Sequence, residues 1–505
     1  MHIWLLLLLS GCRDKRATAD PGDDTAPPNT FSGTDDTGDT AEAAVEWGTL
    51  PEGCEAPDTL AEHPLSLIGE DQHIQETPGE WFMELVDVEA DLENGLVYGA
   101  GQGGLMVFDV SEITDPTLIG GYPEHTGNVG RLYRVELSDG VVYTTHRDEG
   151  LTVFDVSDPA APSVIGYFGP AGLEGMALVG DTLYITNLFG GLFTVDVSEP
   201  DNPELLDEID GLGTAWDIAV SGSVGYISDG QDGVVVVDLS DPDAPVLSGA
   251  VDVGGGVQDI ALSGDALYAA AGGVGVVVLD VSDPLNPSIT TILEYAGSVQ
   301  SVAVQDDVLW AVDQEDVIAI DIGDPLVPIP LGTSMTPEFA MHVGAGDGVA
   351  WVGDWSRLEA WQADTTIRAP DLELSINTLL LDEDGDELIL TVYNVGSAVL
   401  SLLGAGVEDD RLTLESSTTN IDPGESAPLR LTYSGGEDLL TTLCLASNDP
   451  DTPTLDIEVH TGSGGNHEAI GQDAPDFVLE DLAGNSWQLS EHLGMPVVLV
   501  YFATW

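Results

Sequence analysis

Few residues in this 505-residue chain have the type and spacing to do chemistry. Cys12, Cys54 and Cys444 are its three cysteines. Thiols so few and so far apart build neither a disulfide scaffold nor a multi-thiolate zinc site, so each is read alone. The nine histidines are scattered, and no Ser/His/Asp constellation or metal-ligand cluster is readable, which makes a hydrolase the weakest reading. A second set is Glu84, Arg134, Asp217 and Asp259, which share one position of an internal repeat with Gly175, Ser301 and Met341. Carboxylates gathered there could hold a cation, calcium being the candidate, or a small polar ligand, with Arg134 modulating the charge. The plainer alternative is that a wet channel mouth is polar in any case.

The elements that must position this second set are repeats. The phrase Asp155-Val156-Ser157-Asp158-Pro159 returns at Asp196, Asp238, Asp280 and Asp321, spaced 41, 42, 42 and 41 residues apart, with a looser copy at Asp109. Within a unit, apolar strands alternate with Gly/Asp turns. Residues 260–262, 267–270 and 276–281 are strands, Gly264-Asp265 and Gly272-Gly273 are turns, and an outer strand follows Pro287. About 42 residues per four-stranded unit predicts one propeller blade per repeat. The leading aspartates read as turn formers whose side chains bond local backbone N–H groups. A seventh, degenerate unit ends at Ala360-Trp361-Gln362 without an outer strand. His63-Pro64-Leu65-Ser66-Leu67-Ile68-Gly69 copies the outer-strand pattern Asp115-Pro116-Thr117-Leu118-Ile119-Gly120. Residues 64–69 are therefore expected to complete the last blade and remove an exposed edge.

The repeated phrase resembles the LVIVD repeat family over roughly residues 81–362, which implies a seven-bladed β-propeller and leaves its ligand open. Downstream, three landmarks resemble the turns of immunoglobulin-like sandwiches of bacterial surface proteins. They are Asn394-Val395-Gly396, Asp422-Pro423-Gly424-Glu425 and Ser447-Asn448-Asp449-Pro450, and the resemblance implies a spacer or adhesive module. The run Asp382-Glu383-Asp384-Gly385-Asp386 hints at calcium but lacks the rest of an EF-hand loop, and an acidic hairpin turn is the simpler reading. Cys444, on an apolar strand, reads as a small buried hydrophobe.

Both ends carry resemblances of their own. Residues 3–9 are apolar and lead into Leu9-Ser10-Gly11-Cys12, which resembles the lipobox of bacterial lipoproteins. This implies a lipid on Cys12 and anchoring in the cell envelope, with outer-membrane or surface placement favoured. Ala474-Pro475-Asp476-Phe477 and the apolar run ending at Phe502-Ala503-Thr504-Trp505 resemble the opening of thioredoxin-like redoxins. In that family the catalytic Cys-x-x-Cys follows the tryptophan. The chain as given is thus expected to lack thiol-disulfide activity, and a UGA codon for selenocysteine after Trp505 is one explanation.

The resulting expectation is a mainly β chain. It comprises a signal peptide at 1–12, a disordered acidic tether at 13–58, a propeller at 59–365, an immunoglobulin-like sandwich at 370–461, a joint at 462–468 and an incomplete thioredoxin-like α/β fragment at 469–505. With Lys+Arg at 10 against Asp+Glu at 90, the net charge is -80, which excludes nucleic acid as a partner. The expected partners are the membrane, through the lipid, and an unidentified protein or small ligand at the propeller. The rival function is a non-enzymatic surface binding or adhesion protein.

Overall fold

The computed structural model describes residues 63–71, 84–102, 104–123, 132–375, 378–381, 387–407, 409, 411–416, 418–435, 439–450 and 452–461. It also describes short strands at 3–4, 45–47, 478–480, 486–488 and 502–503. Cys12, Cys54, the acidic run 382–386 and most of 462–505 lie outside the described residues.

The repeat folds as sequential antiparallel sheets, each strand paired with its neighbour in the chain. Five four-stranded sheets occupy residues 84–123, 132–168, 173–210, 215–251 and 259–293. The fifth consists of Asp259–Ser263, Ala266–Ala270, Val276–Asp280 and Ser288–Leu293, the strands that its apolar runs predict. Gly264 and Gly272, at φ of 59° and 57°, take the left-handed conformation that these turns need. The leading aspartates are turn formers: Asp155 Oδ1 accepts the Ser157 N–H at 2.9 Å, and Asp196, Asp238 and Asp280 do the same for Ser198, Ser240 and Ser282.

Apolar side chains on the second and third strands pack between sheets as well as within them. Tyr143 and Leu151 of the second sheet share a cluster with Met176 and Phe193 of the third. Val349, Trp351 and Leu358, from the end of the repeat region, share one with Leu85, Val97 and Phe108 of the first sheet. The repeat tyrosines tie neighbours through polar bonds: Tyr226 Oη donates to the Pro284 carbonyl at 3.0 Å and Tyr268 Oη to that of Pro325 at 2.8 Å.

The last two repeats differ from the rest. They merge into one seven-stranded sheet because Ile329–Gly346 runs as a single strand where an outer and an inner strand were expected. The linking residues Met335-Thr336-Pro337-Glu338-Phe339 contain no glycine to reverse the chain, and the residue before a proline favours extended backbone. Leu65–Asp71 pairs antiparallel with Arg357–Ala363 as the outermost strand of this sheet. Its pairing slips at Ala360/Trp361 as that of Thr117–Pro123 slips at Val107/Phe108. A β-carbon on Gly69 would lie 2.3 Å from the Ile113 carbonyl, just as one on Gly120 would lie 2.5 Å from that of Pro159. Residues 64–69 thus hold the outer-strand place that their sequence copies.

After Pro370 two five-stranded sheets enclose a core that includes Leu390, Leu429, Leu431, Leu443 and Val459. The three landmark turns have structural work: Asn394 Nδ2 donates to the Ala398 and Ile421 carbonyls at 2.8 Å each, and Asp449 Oδ2 accepts the Leu372 N–H at 2.9 Å. Two expectations change here. Val45–Trp47, within the stretch read as tether, pairs with Leu414–Ser416 as a fifth strand. Cys444 is disulfide-bonded and is not a free buried thiol. The remaining cysteines, Cys12 and Cys54, are its possible partners. A cross-link explains the burial of Cys444 as well as small size does, and isolated spacing could not reveal it.

Near the C-terminal end Val478–Glu480 pairs with Ser486–Gln488 as a hairpin, and Phe502–Ala503 pairs with Ile3–Trp4. Among the described residues there is no helix.

Candidate functional site

One position of each inner strand, just before a buried apolar side chain, points the repeat at a common centre. The residues there are Asp87, Arg134, Gly175, Asp217, Asp259, Ser301 and His342, preceding Val88, Val135, Met176, Ile218, Ile260, Val302 and Val343. Arg134 is the hub. Its guanidinium lies 3.8 Å from Asp87, 3.8 Å from Asp217 and 3.6 Å from Asp259. His342 approaches Asp87 at 2.6 Å, out of line for a hydrogen bond, and Asp259 at 3.5 Å. Gly175 leaves the room this requires, since a β-carbon there would lie 2.5 Å from Asp217 Oδ1.

Of the residues expected from sequence, Arg134, Asp217 and Asp259 are brought together. Glu84 is buried three positions upstream of Asp87, and Met341 is the neighbour of His342. The inner strands carry register irregularities at Leu85/Asp87 and at Ala340/His342. The strands of Arg134, Gly175 and Asp217 carry the same irregularity, and aligning Val88 and Val343 with Val135, Ile218 and Ile260 places Asp87 and His342 in the shared position.

Backbone bonds anchor the carboxylates. Asp87 accepts its neighbour Val88 N–H at 3.0 Å and, from the next sheet, Val135 N–H at 2.7 Å. Asp259 repeats the pattern with Ile260 and Val302 N–H, both at 3.0 Å, and adds Ser301 Oγ at 2.6 Å. A second device was missed from sequence. Thr145, Thr186 and Ser228, 41 and 42 residues apart, donate to the carbonyls of Glu174, Trp216 and Gln258 in the following sheet at 2.5, 3.3 and 3.2 Å. The signal was a hydroxyl two places after the repeat tyrosine.

These elements open into a cavity of about 150 Å³. Its lining includes Tyr133, Arg147, Glu174, Trp216, Gln258 and Gln300 together with Arg134 and His342. Arg147 and Glu174 form a two-bond pair at 2.6 Å each, the geometry natural to guanidinium and carboxylate. The Arg147 guanidinium also lies 3.7 Å from the centre of the Tyr133 ring and 5.6 Å from that of Trp216, within cation–π range.

Burial and neighbouring charge divide the protons unequally. Burial pulls the His342 imidazole down, but Asp87 and Asp259 outweigh it and lift its pKa to about 9. Burial raises Asp217 well above the usual carboxylate range against the pull of Arg134, and nearby Asp259 adds to the rise. Asp259 goes the other way: burial is overcome by Arg134 and His342, which hold it well below the usual range. Burial pushes Glu89 up to about 7 and raises Glu136 well above the usual carboxylate range. Arg134 and a protonated His342 therefore face Asp87 and Asp259, while Asp217 holds its proton more tightly than an ordinary carboxyl.

The carboxylates expected to hold a cation are thus turned toward cations of the chain itself. Among the described residues no group of three or more His, Cys, Asp or Glu is arranged to hold a metal ion. The arrangement presents donors, acceptors and aromatic faces suited to recognising a small polar molecule.

Six segments match the LVIVD repeat: residues 92–123, 130–168, 174–210, 212–253, 254–293 and 296–336. The region is a propeller-type LVIVD repeat domain. Among solved structures, the WD40 domain of Neurospora crassa Pan2 aligns at 12% identity over 61% of this chain and 98% of that chain, with a TM-score of 0.49. The computationally designed Ika8 protein aligns at 10% identity over 74% of this chain and 100% of that chain, with a TM-score of 0.42. No curated protein matches the chain.

Proposed function

We propose that this is a binding protein of the cell envelope whose recognition site is the mouth of a seven-bladed propeller. The observation that carries the reading is the company Arg134, Arg147 and His342 keep. In a chain of net charge -80, these cationic side chains line one cavity beside Tyr133 and Trp216, and backbone bonds from neighbouring sheets anchor the carboxylates of Asp87 and Asp259 that face two of them. The count of seven treats the seven-stranded sheet as two blades joined through residues 336–339 and closed by Leu65–Asp71. The matching contacts of Gly69 and Gly120 support it. The two sheets after Pro370 are proposed to be an immunoglobulin-like spacer, with their landmark turns in support, and Cys12 to carry the lipid that anchors the protein outside the cytoplasm. Outer-membrane or surface placement follows from that reading.

Retention on envelope fragments from the native cell tests it. Arg147→Gln with Trp216→Ala should abolish retention, while Leu205→Ser, on an outer strand, should leave it intact. Equal retention of all three proteins would contradict the reading.

Residues 474–505 favour a second reading, in which the binding platform delivers a redoxin domain to its substrate. The nucleotide sequence decides it. An in-frame UGA or cysteine codon after Trp505, followed by the rest of a redoxin domain, supports that role. A gene without such a continuation removes it.

A further inference from the structure

We infer that the mouth takes a neutral, polyhydroxylated six-membered ring, a pyranose sugar residue, rather than a cation or an anion. The inference rests on the mouth being the recognition site, and it adds the chemical class of the ligand.

Charge balance is the first ground. Arg134 and His342 face Asp87 and Asp259, and Arg147 faces Glu174 in a two-bond pair. Each cation at the cavity already has its counter-charge within the fold. An entering anion or metal ion would have to break one of these pairs and leave a buried charge uncompensated, which is costly. A neutral molecule leaves every pair intact.

Polarity and size supply the second ground. Charged pairs still offer free lone pairs and N–H groups at their edges, and Gln258 and Gln300 each add a donor and an acceptor. Hydroxyl groups, which both donate and accept, fit a wall of mixed sign better than a ligand that only donates or only accepts. Arg147, 3.7 Å from the Tyr133 ring centre, covers a face of that ring, and the ring of Trp216, 5.6 Å from the same guanidinium, suits the apolar C–H face of a sugar ring. A cavity near 150 Å³ is of the size that accepts one six-membered ring.

Phe189 extends the aromatic surface beyond the cavity. It is 81% exposed in the turn between the second and third strands of its sheet, the turn that carries Arg147 in the sheet before. A second ring of a glycan leaving the cavity could stack there.

Calorimetric titration of the intact protein tests the inference, with methyl glucoside, methyl N-acetylglucosaminide, citrate and calcium chloride as probes. Saturable binding of a glycoside is expected, unchanged between low and high sodium chloride and lost in Trp216→Ala and in Gln300→Ala, whose thermal melts confirm folding. A tetrasaccharide that binds at least as tightly would identify the end of a glycan, and its exclusion would identify a free sugar. Either result upholds the class. Citrate or calcium binding lost in the same variants would overturn the class and leave the recognition site standing. Binding of any probe that neither variant alters would overturn both. No binding of either glycoside would overturn the sugar assignment alone.

Discussion

Arg134 and Asp259 stand 125 positions apart in the chain, yet the guanidinium of one lies 3.6 Å from the carboxylate of the other. Successive inner strands bring these two together because each aims the same repeat position at a shared centre, where Arg134 also meets Asp87 and Asp217. The pair is buried, so removing one partner costs far more than its net attraction contributes. Arg134→Met should cost roughly 3–5 kcal/mol. Asp217→Asn should cost much less, because burial disfavours the charged form of Asp217 and the amide carries no charge to bury. Urea melts of the two variants check this, and equal losses would contradict the assignment of protons.

Stability should fall as pH rises from about 5 to above 9. His342 is lifted to about 9, so its protonated form contributes fully below its ordinary value of about 6.5 and that contribution is lost as pH climbs through 9. Two buried acids act in the same direction. Burial pushes Glu89 up to about 7 and, with Asp354 beside it, Glu359 up to about 8. The folded state then binds more protons than the unfolded state between about pH 4.5 and 8. Thermal melts across this range should show a falling midpoint, with the upper part of the fall flattened in His342→Gln. A rising midpoint would contradict it.

Closing the last sheet with Leu65–Asp71 predicts that two glycines far apart behave alike. Gly69→Val and Gly120→Val both drive side-chain atoms into a backbone carbonyl of the adjoining sheet and should each cost about 1–3 kcal/mol, the range of other overpacking changes. Denaturant midpoints of the two variants check this. Tolerance at Gly69 alone would separate residues 64–69 from the outer strands.

The repeat, its strands and the strand that closes the last sheet were legible because each depends on local patterning copied many times. The centre was half legible. Arg134, Asp217 and Asp259 follow the spacing, whereas in the looser first and last repeats the count stopped at Glu84 and Met341, short of Asp87 and His342. Val45–Trp47 was lost in its Asp/Thr-rich surroundings, since three residues carry no period. The bond at Cys444 was hidden for another reason: with hundreds of residues between cysteines, pairing depends on how separate sheets meet and not on spacing.

Reduction should weaken the protein. The disulfide at Cys444 closes a long loop with either possible partner, so its loss should cost about 2–4 kcal/mol. Cys444→Ser should reproduce the effect of a reductant and be insensitive to it. Peptide mapping without reduction should find Cys444 linked to Cys54, since a lipid on Cys12 leaves that sulfur no thiol to pair. A Cys444 thiol free to alkylation in the native protein would contradict the bond.

Thr145, Thr186 and Ser228 should matter to binding more than to stability. Each holds the carbonyl of a residue that lines the cavity, and removing one hydroxyl should cost on the order of 1 kcal/mol of folding. Thr186→Val should nevertheless weaken retention on envelope fragments by displacing Trp216. Unchanged retention with an unchanged melt would deny it a positioning role.

Hydrogen exchange of the intact protein, with and without a soluble glycan extract of the native envelope, tests the recognition site most directly. The account predicts protection at residues 132–138, 146–150, 215–221 and 340–346, the segments around the cavity. Protection confined to the outer strands or to the sheets after Pro370, with those four segments unchanged, would contradict it.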